Sequence, residues 1–173
     1  MHAIASNLTR TLTPALCLAA LLACSPGSRA ADIVATKRMT LELAADIAHG
    51  AVHACRDQGW QVAAVVVDRA GVTQALLRDI NASRFTIQIA TDKANAVILS
   101  GVASAEFRRN REDIRQEMNQ VDGILMLEGG LPIRAAGTLV GAVGVSGAPG
   151  GDKDEACARA GLESVQERLE FAD

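Results

Sequence analysis

The stretch GILMLEGGLPIRAAGTLVGAVGVS, residues 123–146, decides the fold class. It contains three short apolar runs, Gly123–Glu128, Pro132–Ala136 and Leu139–Ser146, which glycine-containing pairs separate. Short apolar runs divided by glycines are typical of strands that follow one another in an antiparallel sheet. The stretch therefore predicts a meander of three strands.

The chain before this stretch predicts a β-hairpin. Val62 to Asp68 is a continuous apolar, β-branched run, typical of a strand buried on both faces. Asp68-Arg69-Ala70-Gly71 favours a turn, and Val72 to Arg78 then pairs back as the second strand. The hairpin and the meander together predict a five-stranded antiparallel sheet.

Helical periodicity predicts four helices around these strands. Thr40 is a good N-cap for the first, and Asp152 with Glu155 offers a capping box for the last. The order α-β-β-α-α-β-β-β-α contains no βαβ alternation, so the predicted fold class is α+β with helices packed on the sheet. The predicted helices are 40–57, 84–99 (capped by Ser83 and closed by Gly101), 105–118 (capped by Ser104) and 153–171.

The first thirty residues predict a secretory signal peptide. They contain no acidic residue, and Arg10 precedes an apolar run that is too short to span a bilayer. Small residues before Ala31 favour cleavage after Ala30, which leaves residues 31–173 as one domain in the periplasm or outside the cell. The alternative is a lipoprotein, since Leu21-Leu22-Ala23-Cys24 resembles a lipobox whose Cys24 would carry the membrane anchor.

Composition argues against a nucleic-acid partner. The chain has 173 residues, 49% of them apolar and 2% aromatic, and it has no run rich in lysine or arginine. Nucleic-acid grooves need clustered cations and aromatic stacking platforms. After cleavage, 15 basic residues face 20 acidic ones, a net charge of −5.

Two cysteines and two histidines remain after cleavage. Cys55 and Cys157 form a disulfide or stay as two free core cysteines, and both alternatives are open. His49 and His53 stand one turn apart on the first helix, about 40° from each other and opposite its apolar face. This places them away from Cys55. They are either two solvated histidines or a pair that shares a metal or flanks a haem.

The remaining chemistry is sparse. The sequence has no P-loop, no G-x-G-x-x-G and no nucleophile elbow, so we assign no catalytic residue. The acidic residues Glu112, Asp113, Asp152, Asp154 and Glu155 fit helix surfaces and caps. Lys93 lies among apolar neighbours, where it either extends its ammonium to water or supplies a cation to an acidic ligand.

A series of motifs in this order resembles the GlcG/HbpS family, the haem-binding or haem-degrading-like domain also found in PduO-type proteins. The resemblance covers residues 40–170. It implies a profilin-like α+β fold with a five-stranded antiparallel sheet, and homo-oligomers from dimers to octamers. It also implies haem binding for secreted members, whereas others accompany glycolate or diol metabolism. The motifs are Thr40–Glu42, Val66–Gly71, Ala90–Ala94, Gly129–Ile133, Val140–Gly147 and Asp154–Gly161.

Our leading hypothesis is an exported haem-binding protein in haem or iron sequestration or degradation. The chain has no tyrosine, so tyrosinate ligation of iron is impossible. We predict His53 as the first iron ligand and His49 as the second, with Arg78 or Lys93 meeting a propionate. The other residues able to ligate iron are Met39, Met118, Met126, Cys55, Cys157 and the lysines.

Two alternatives stay open. The first is an enzyme or accessory protein for a small hydroxy-acid or other anionic metabolite, with Lys93 and the Gly129-Gly130 turn lining its site. The second is a ligand-free oligomeric module. Two segments depart from the family pattern and are expected to reshape a pocket: Arg78–Asn81 replaces the usual Arg-Met-Asp-Gly, and the charged Arg108–Glu117 replaces a glycine-rich loop.

Overall fold

The computed structural model describes residue 32 and residues 34–172 of the chain. The predicted signal peptide, residues 1–30, lies outside the described residues. The elements follow in the order α1 (Leu41–Asp57), β1 (Ala63–Asp68), β2 (Thr73–Arg78), α2 (Phe85–Ser100), α3 (Ser104–Asn110), a short 3-10 helix (Glu112–Ile114), α4 (Arg115–Met118), β3 (Gly130–Ala135), β4 (Thr138–Ser146), α5 (Gly151–Glu163) and α6 (Gln166–Glu170).

The sheet of the described chain has four strands, in the order β2-β1-β4-β3. All neighbours are antiparallel, and Val66 of β1 lies opposite Ala75 on one side and Val143 on the other. The α+β class and the β1–β2 hairpin are therefore confirmed. The predicted number of strands, five, is one too many.

The missing strand is the predicted run Gly123–Glu128. Its backbone bonds to a helix and a side chain instead of a strand: Leu125 N donates to Asp92 O at 3.2 Å. Met126 N donates to Asn119 Oδ1 at 2.8 Å. The Met126 side chain is buried in a small cluster with Ala96 and Phe107. The run is apolar because it packs beside helices, a reason that periodicity in a short segment does not distinguish from a strand.

Helices cover both faces of the sheet. Ala64 and Val66 pack in a core with α1 and α5, whereas Val65 and Val67 pack against α2. Since both faces are covered, the first five residues of β1 are fully buried, as the continuous apolar run predicts. The side chains of α1 and α2 thus serve opposite sides of the sheet.

Helix ends show which local signals are reliable. Thr40 caps α1 as predicted, its hydroxyl accepting a bond from Leu43 N at 3.3 Å. Gly101 closes α2 in the left-handed conformation, with φ of +74°. The predicted cap Ser83 lies one residue before the N-cap of α2, which is Arg84 and has no side-chain cap, although Ser83 Oγ accepts a bond from Phe85 N at 3.3 Å.

The predicted helix 105–118 is broken into α3, the 3-10 helix and α4. Ser104 does not cap it, because its hydroxyl accepts a bond from Gly130 N at 2.9 Å. The last predicted helix is likewise divided between α5 and α6. The prediction of an Asp152/Glu155 capping box is wrong, since the N-cap of α5 is Gly150 and no side chain caps this helix.

Cys55 of α1 and Cys157 of α5 form a disulfide, with Cα atoms 5.4 Å apart. Of the two alternatives for these cysteines, the structure has the bonded one. In the described range, no helix is both long enough and apolar enough to cross a membrane.

Candidate functional site

A cavity of about 160 Å³ lies between α1 and β2. Both histidines of α1 are exposed and open onto it, with ring centroids 6.4 Å apart. They point away from the buried side of the helix, as the periodicity predicts. The cavity brings together three of the four predicted site residues, and its lining consists of His49, Val52, His53, Arg56, Leu77, Arg78 and Asp79.

Arg78 ends β2 and holds the loop that follows. Its Nη1 donates to the carbonyl oxygens of Asp79 at 3.0 Å, Ile80 at 3.4 Å and Ala82. Within the described residues, its Nη2 and Nε have no protein acceptor in hydrogen-bond range. Nη1 of the guanidinium therefore has a structural role, whereas Nη2 and Nε are left to bind an anion.

Asp79 and Arg56 form the polar wall of the cavity. Arg56 Nε donates to Asp79 Oδ1 at 3.2 Å, and its Nη2 donates to the same oxygen. The carboxylate is 5% exposed, and its second oxygen, Oδ2, has no hydrogen-bond partner in the described chain. A buried acceptor left without a donor costs about 1–3 kcal/mol, and more when it is charged.

The cavity does not form a three-residue metal site by itself. Over the described residues, no three His, Cys, Asp or Glu side chains come together in a way that could hold a metal ion. Cys55 and Cys157 are bonded to each other, and Met39 and Met126 are buried. The two imidazoles are thus the nitrogen donors that the cavity presents to a metal.

Lys93 lies apart from the cavity. Its ammonium is 1% exposed, donates to Asp154 Oδ2 at 2.7 Å and to Val145 O at 3.0 Å, and does not reach water. Burial lowers the pKa of Lys93, against the opposing attraction of the Asp154 carboxylate. Burial likewise raises the pKa of Asp154. Lys93 therefore joins α2 to α5 in a buried ion pair, and Asp154, predicted as a surface or cap residue, is buried.

The Gly129-Gly130 turn closes over this pair. A Cβ atom on Gly129 would lie 2.9 Å from Lys93 Nζ, and one on Gly130 would lie 2.5 Å from Lys93 O. These glycines permit close backbone packing and leave no room there for a metabolite. The alternative site predicted around Lys93 and this turn is filled by protein.

A larger groove of about 500 Å³ lies beside the broken third helix. The charged segment Arg108–Glu117, which departs from the family pattern, forms part of its wall. The groove also contains Met118, one of the predicted alternative iron ligands. Its lining is Leu99, Ser100, Val102, Phe107, Asn110, Arg111, Ile114 and Met118.

Sequence reasoning missed Arg56 and Asp79 as site residues. Arg56 is one turn beyond His53 on α1, so the spacing that selected the histidines also places Arg56 beside them. Asp79 follows Arg78 directly. Its burial and its unpartnered oxygen depend on α1 packing across the end of β2, which no local pattern reveals.

Comparisons with known proteins agree with this fold. A protein-family model described as haem degrading protein HbpS-like matches residues 39–163. The crystal structure of HbpS is 34% identical with a TM-score of 0.72, over 79% of this chain and 96% of that chain. A double mutant of Streptomyces reticuli HbpS is 33% identical with the same TM-score, over 82% of this chain and 96% of that one.

A more distant structure shares the fold alone. The complex of PduOC with haem is 17% identical with a TM-score of 0.63, over 74% of this chain and 95% of that one. No curated protein sequence matches the chain significantly. The match to the family model and the similarity to HbpS along most of both chains lead to one conclusion: this chain belongs to the HbpS-like family.

Proposed function

We propose that the protein is an exported haem-binding protein, that His53 ligates the haem iron with His49 as the second candidate, and that Arg78 meets a propionate. The observation that carries the proposal is the cavity between α1 and β2. It gathers two exposed imidazoles and a guanidinium with free donors on one surface. The family and the haem complex of PduOC support the choice of ligand.

The donor set fits a haem. Imidazole is a common axial ligand of haem iron, and a guanidinium suits a carboxylate. Val52 and Leu77 give the cavity an apolar part for the edge of the macrocycle. A volume of about 160 Å³ is below the roughly 300–1,000 Å³ of clefts that enclose such ligands, so the cavity by itself would not enclose a haem. When bound, the haem supplies its iron and the redox chemistry of that iron.

Other ligand choices are weaker. Lys93 is paired with Asp154 inside the protein, so it has no place in the proposed site. The disulfide removes both cysteines as thiolate ligands, and Met39 and Met126 are buried. The disulfide also supports export, because such bonds persist mainly in oxidising compartments.

A haemin titration tests the proposal. We expect wild type to give a saturable Soret shift, and His53→Ala to weaken it by about tenfold or more, with a smaller effect for His49→Ala. Arg159→Ala, which removes an exposed ion pair on α5, is the matched control and should bind as wild type does. An unchanged titration for His49→Ala/His53→Ala would reject the ligand assignment, and no shift with wild type would reject haem binding.

The same sample separates sequestration from degradation. After a reductant is added under air, a stable Soret band indicates storage of the haem. Loss of the band with release of iron indicates degradation. Free haemin under identical conditions is the reference for loss that occurs without the protein.

A further inference from the structure

Another cavity, of about 300 Å³, lies at the turn between β1 and β2, at the opposite end of this hairpin from Arg78. It is formed by the segment before α1, by the turn itself and by β4. The sequence singles out this turn, Asp68-Arg69-Ala70-Gly71, and the haem proposal does not use it. We call this site the turn cavity, and its lining consists of Thr36, Lys37, Arg38, Asp68, Arg69, Ala70 and Val140.

Each of the three basic side chains at the turn cavity lies near a protein oxygen. Lys37 Nζ donates to Ala172 O at 2.8 Å, and Arg69 Nη1 donates to a backbone oxygen of β4 at 3.2 Å. Arg38 Nη2 lies 3.8 Å from Asp68 Oδ2. In the described chain, Arg38 and the Nη2 and Nε atoms of Arg69 have no protein acceptor in hydrogen-bond range. The three cations are therefore oriented by the protein and keep donors for a ligand.

The carboxylate in the lining already has a structural role. Asp68 Oδ1 accepts bonds from Ala70 N at 2.8 Å and Val72 N at 3.0 Å, which close the hairpin turn. Since one carboxylate balances one of the three basic groups, the lining carries two surplus positive charges. Residues 31–173 have a net charge of −5, so this cavity is positive in an acidic chain. A cavity lined by one sign of charge attracts ligands of the opposite sign.

Charge and size select the class of ligand. Two surplus charges match a dianion, and because the three cations line one cavity, both negative charges should lie on one group. A phosphate monoester carries about −1.5 to −2 at pH 7, and guanidiniums bind phosphate oxygens in bidentate pairs. A volume of about 300 Å³ is at the lower end of the roughly 300–1,000 Å³ of small-molecule sites. This favours a small phosphorylated molecule over a nucleotide.

We propose that the turn cavity binds the phosphate group of a small phosphate monoester, with Arg38 and Arg69 donating to its oxygens and Lys37 supplying the third positive charge. The site shares no residue with the cavity between α1 and β2, so the inference does not rest on haem binding. It also differs from the anionic site predicted around Lys93, which the protein itself fills.

The test compares four anions on the wild-type chain 31–173 at a fixed ionic strength of about 0.15 M. Glycerol 3-phosphate is a monoester, dimethyl phosphate is a diester with one charge, succinate separates its two charges, and inorganic phosphate has no organic part. The backbone amide signal of Ala70 in NMR reports the cavity. We expect glycerol 3-phosphate to shift it saturably, and dimethyl phosphate and succinate to need about tenfold or more higher concentration. Inorganic phosphate should bind less tightly than the ester.

Variants then locate the phosphate group. Arg38→Gln and Arg69→Gln each remove one guanidinium, so we expect each to weaken the binding of glycerol 3-phosphate by about tenfold. Arg159→Gln makes the same change of charge at an exposed position on α5, and this matched control should bind as wild type does. If Arg69→Gln disturbs the turn, Arg38→Gln decides, because Arg38 has no hydrogen-bonded protein partner in the described chain.

The proposal is overturned if glycerol 3-phosphate gives no saturable shift of the Ala70 signal up to about 10 mM. Equal binding of dimethyl phosphate or succinate would also overturn it, and tighter binding of inorganic phosphate would reject an ester as the ligand. Equal weakening by Arg38→Gln and Arg159→Gln would show general attraction to positive charge instead of a site. None of these results bears on the haemin titration, so the two proposals fail separately.

Discussion

At the scale of single residues, Lys93 and Asp154 show how much a side chain's chemistry depends on distant partners. They are 61 positions apart in sequence, yet their charged atoms lie 2.7 Å apart inside the protein. The sequence shows only a lysine in an apolar helix and an acid near a helix start. Neither local pattern contains the other residue, so the pair could not be predicted.

A double-mutant cycle measures this pair. We expect Lys93→Met to lower the free energy of unfolding by about 3–5 kcal/mol, because it leaves the buried Asp154 carboxyl without its partner. Asp154→Asn keeps a neutral hydrogen-bonding group beside Lys93 and should lower it by less. The double variant should lose less than the sum of the two, by about 1–3 kcal/mol. Urea unfolding gives the values. Additive losses would show that the two side chains act independently.

The pair also predicts a pH dependence. Burial raises the pKa of Asp154 above its usual value near 3.8, so the folded chain holds this proton to higher pH than the unfolded chain. The resulting stability is fully present below the unfolded pKa and is lost as pH rises through the folded pKa. Urea unfolding of wild type and Asp154→Asn over about pH 3.5–6.5 should show the difference in their free energies falling with pH. A difference that grows with pH would mean that attraction to Lys93 outweighs burial.

At the scale of elements, local signals predicted those elements that are stabilised locally. Thr40 caps α1, and Asp68 Oδ1 closes the hairpin turn by accepting bonds from Ala70 N at 2.8 Å and Val72 N at 3.0 Å. Both devices lie within a few residues of the element that they define. The prediction of a strand over 123–128 was wrong because the hydrogen-bond partners of this run, Asp92 and Asn119, belong to other segments.

The contact of α2 with β4 gives a prediction at this scale. A Cβ atom on Gly144 would lie 1.9 Å from Ala90 O, so Gly144→Ala must move the helix off the sheet. We expect a loss of about 3 kcal/mol in the free energy of unfolding.

Gly101→Ala is the matched control for this substitution. Gly101 has a φ of +74° and nothing within 4 Å of an added Cβ, so it should show backbone strain alone, about 1 kcal/mol. Thermal or urea unfolding compares the two variants. A loss for Gly144→Ala no larger than for Gly101→Ala would contradict the close contact.

At the scale of the whole molecule, α1 connects the core to the candidate site. Its inner side carries Cys55, bonded to Cys157 at a separation of 102 residues, and its outer side carries the two histidines. The helical period predicted these two sides correctly. The sequence did not decide between a disulfide and two free cysteines, because spacing along the chain does not show whether two Cα atoms lie within reach. The orphan oxygen of Asp79 depends in the same way on how α1 packs across β2.

Export and oxidation can be checked together by intact-mass measurement of the secreted protein. We expect a chain that starts at Ala31, with two hydrogens fewer before reduction than after it because of the Cys55–Cys157 bond. Comparison of alkylated samples with and without a reductant provides the control. A mass that corresponds to a chain starting at diacylglyceryl-Cys24 would contradict cleavage after Ala30 and show that the protein is a lipoprotein.

The central claim is that His53, at the cavity between α1 and β2, ligates the haem iron. Its most direct test is a crystal structure of residues 31–173 grown with haemin, with the iron located by anomalous scattering. The account predicts an iron peak within bonding distance of the His53 imidazole and a propionate beside Arg78. An iron peak in the groove beside Met118, with both imidazoles free, would contradict it.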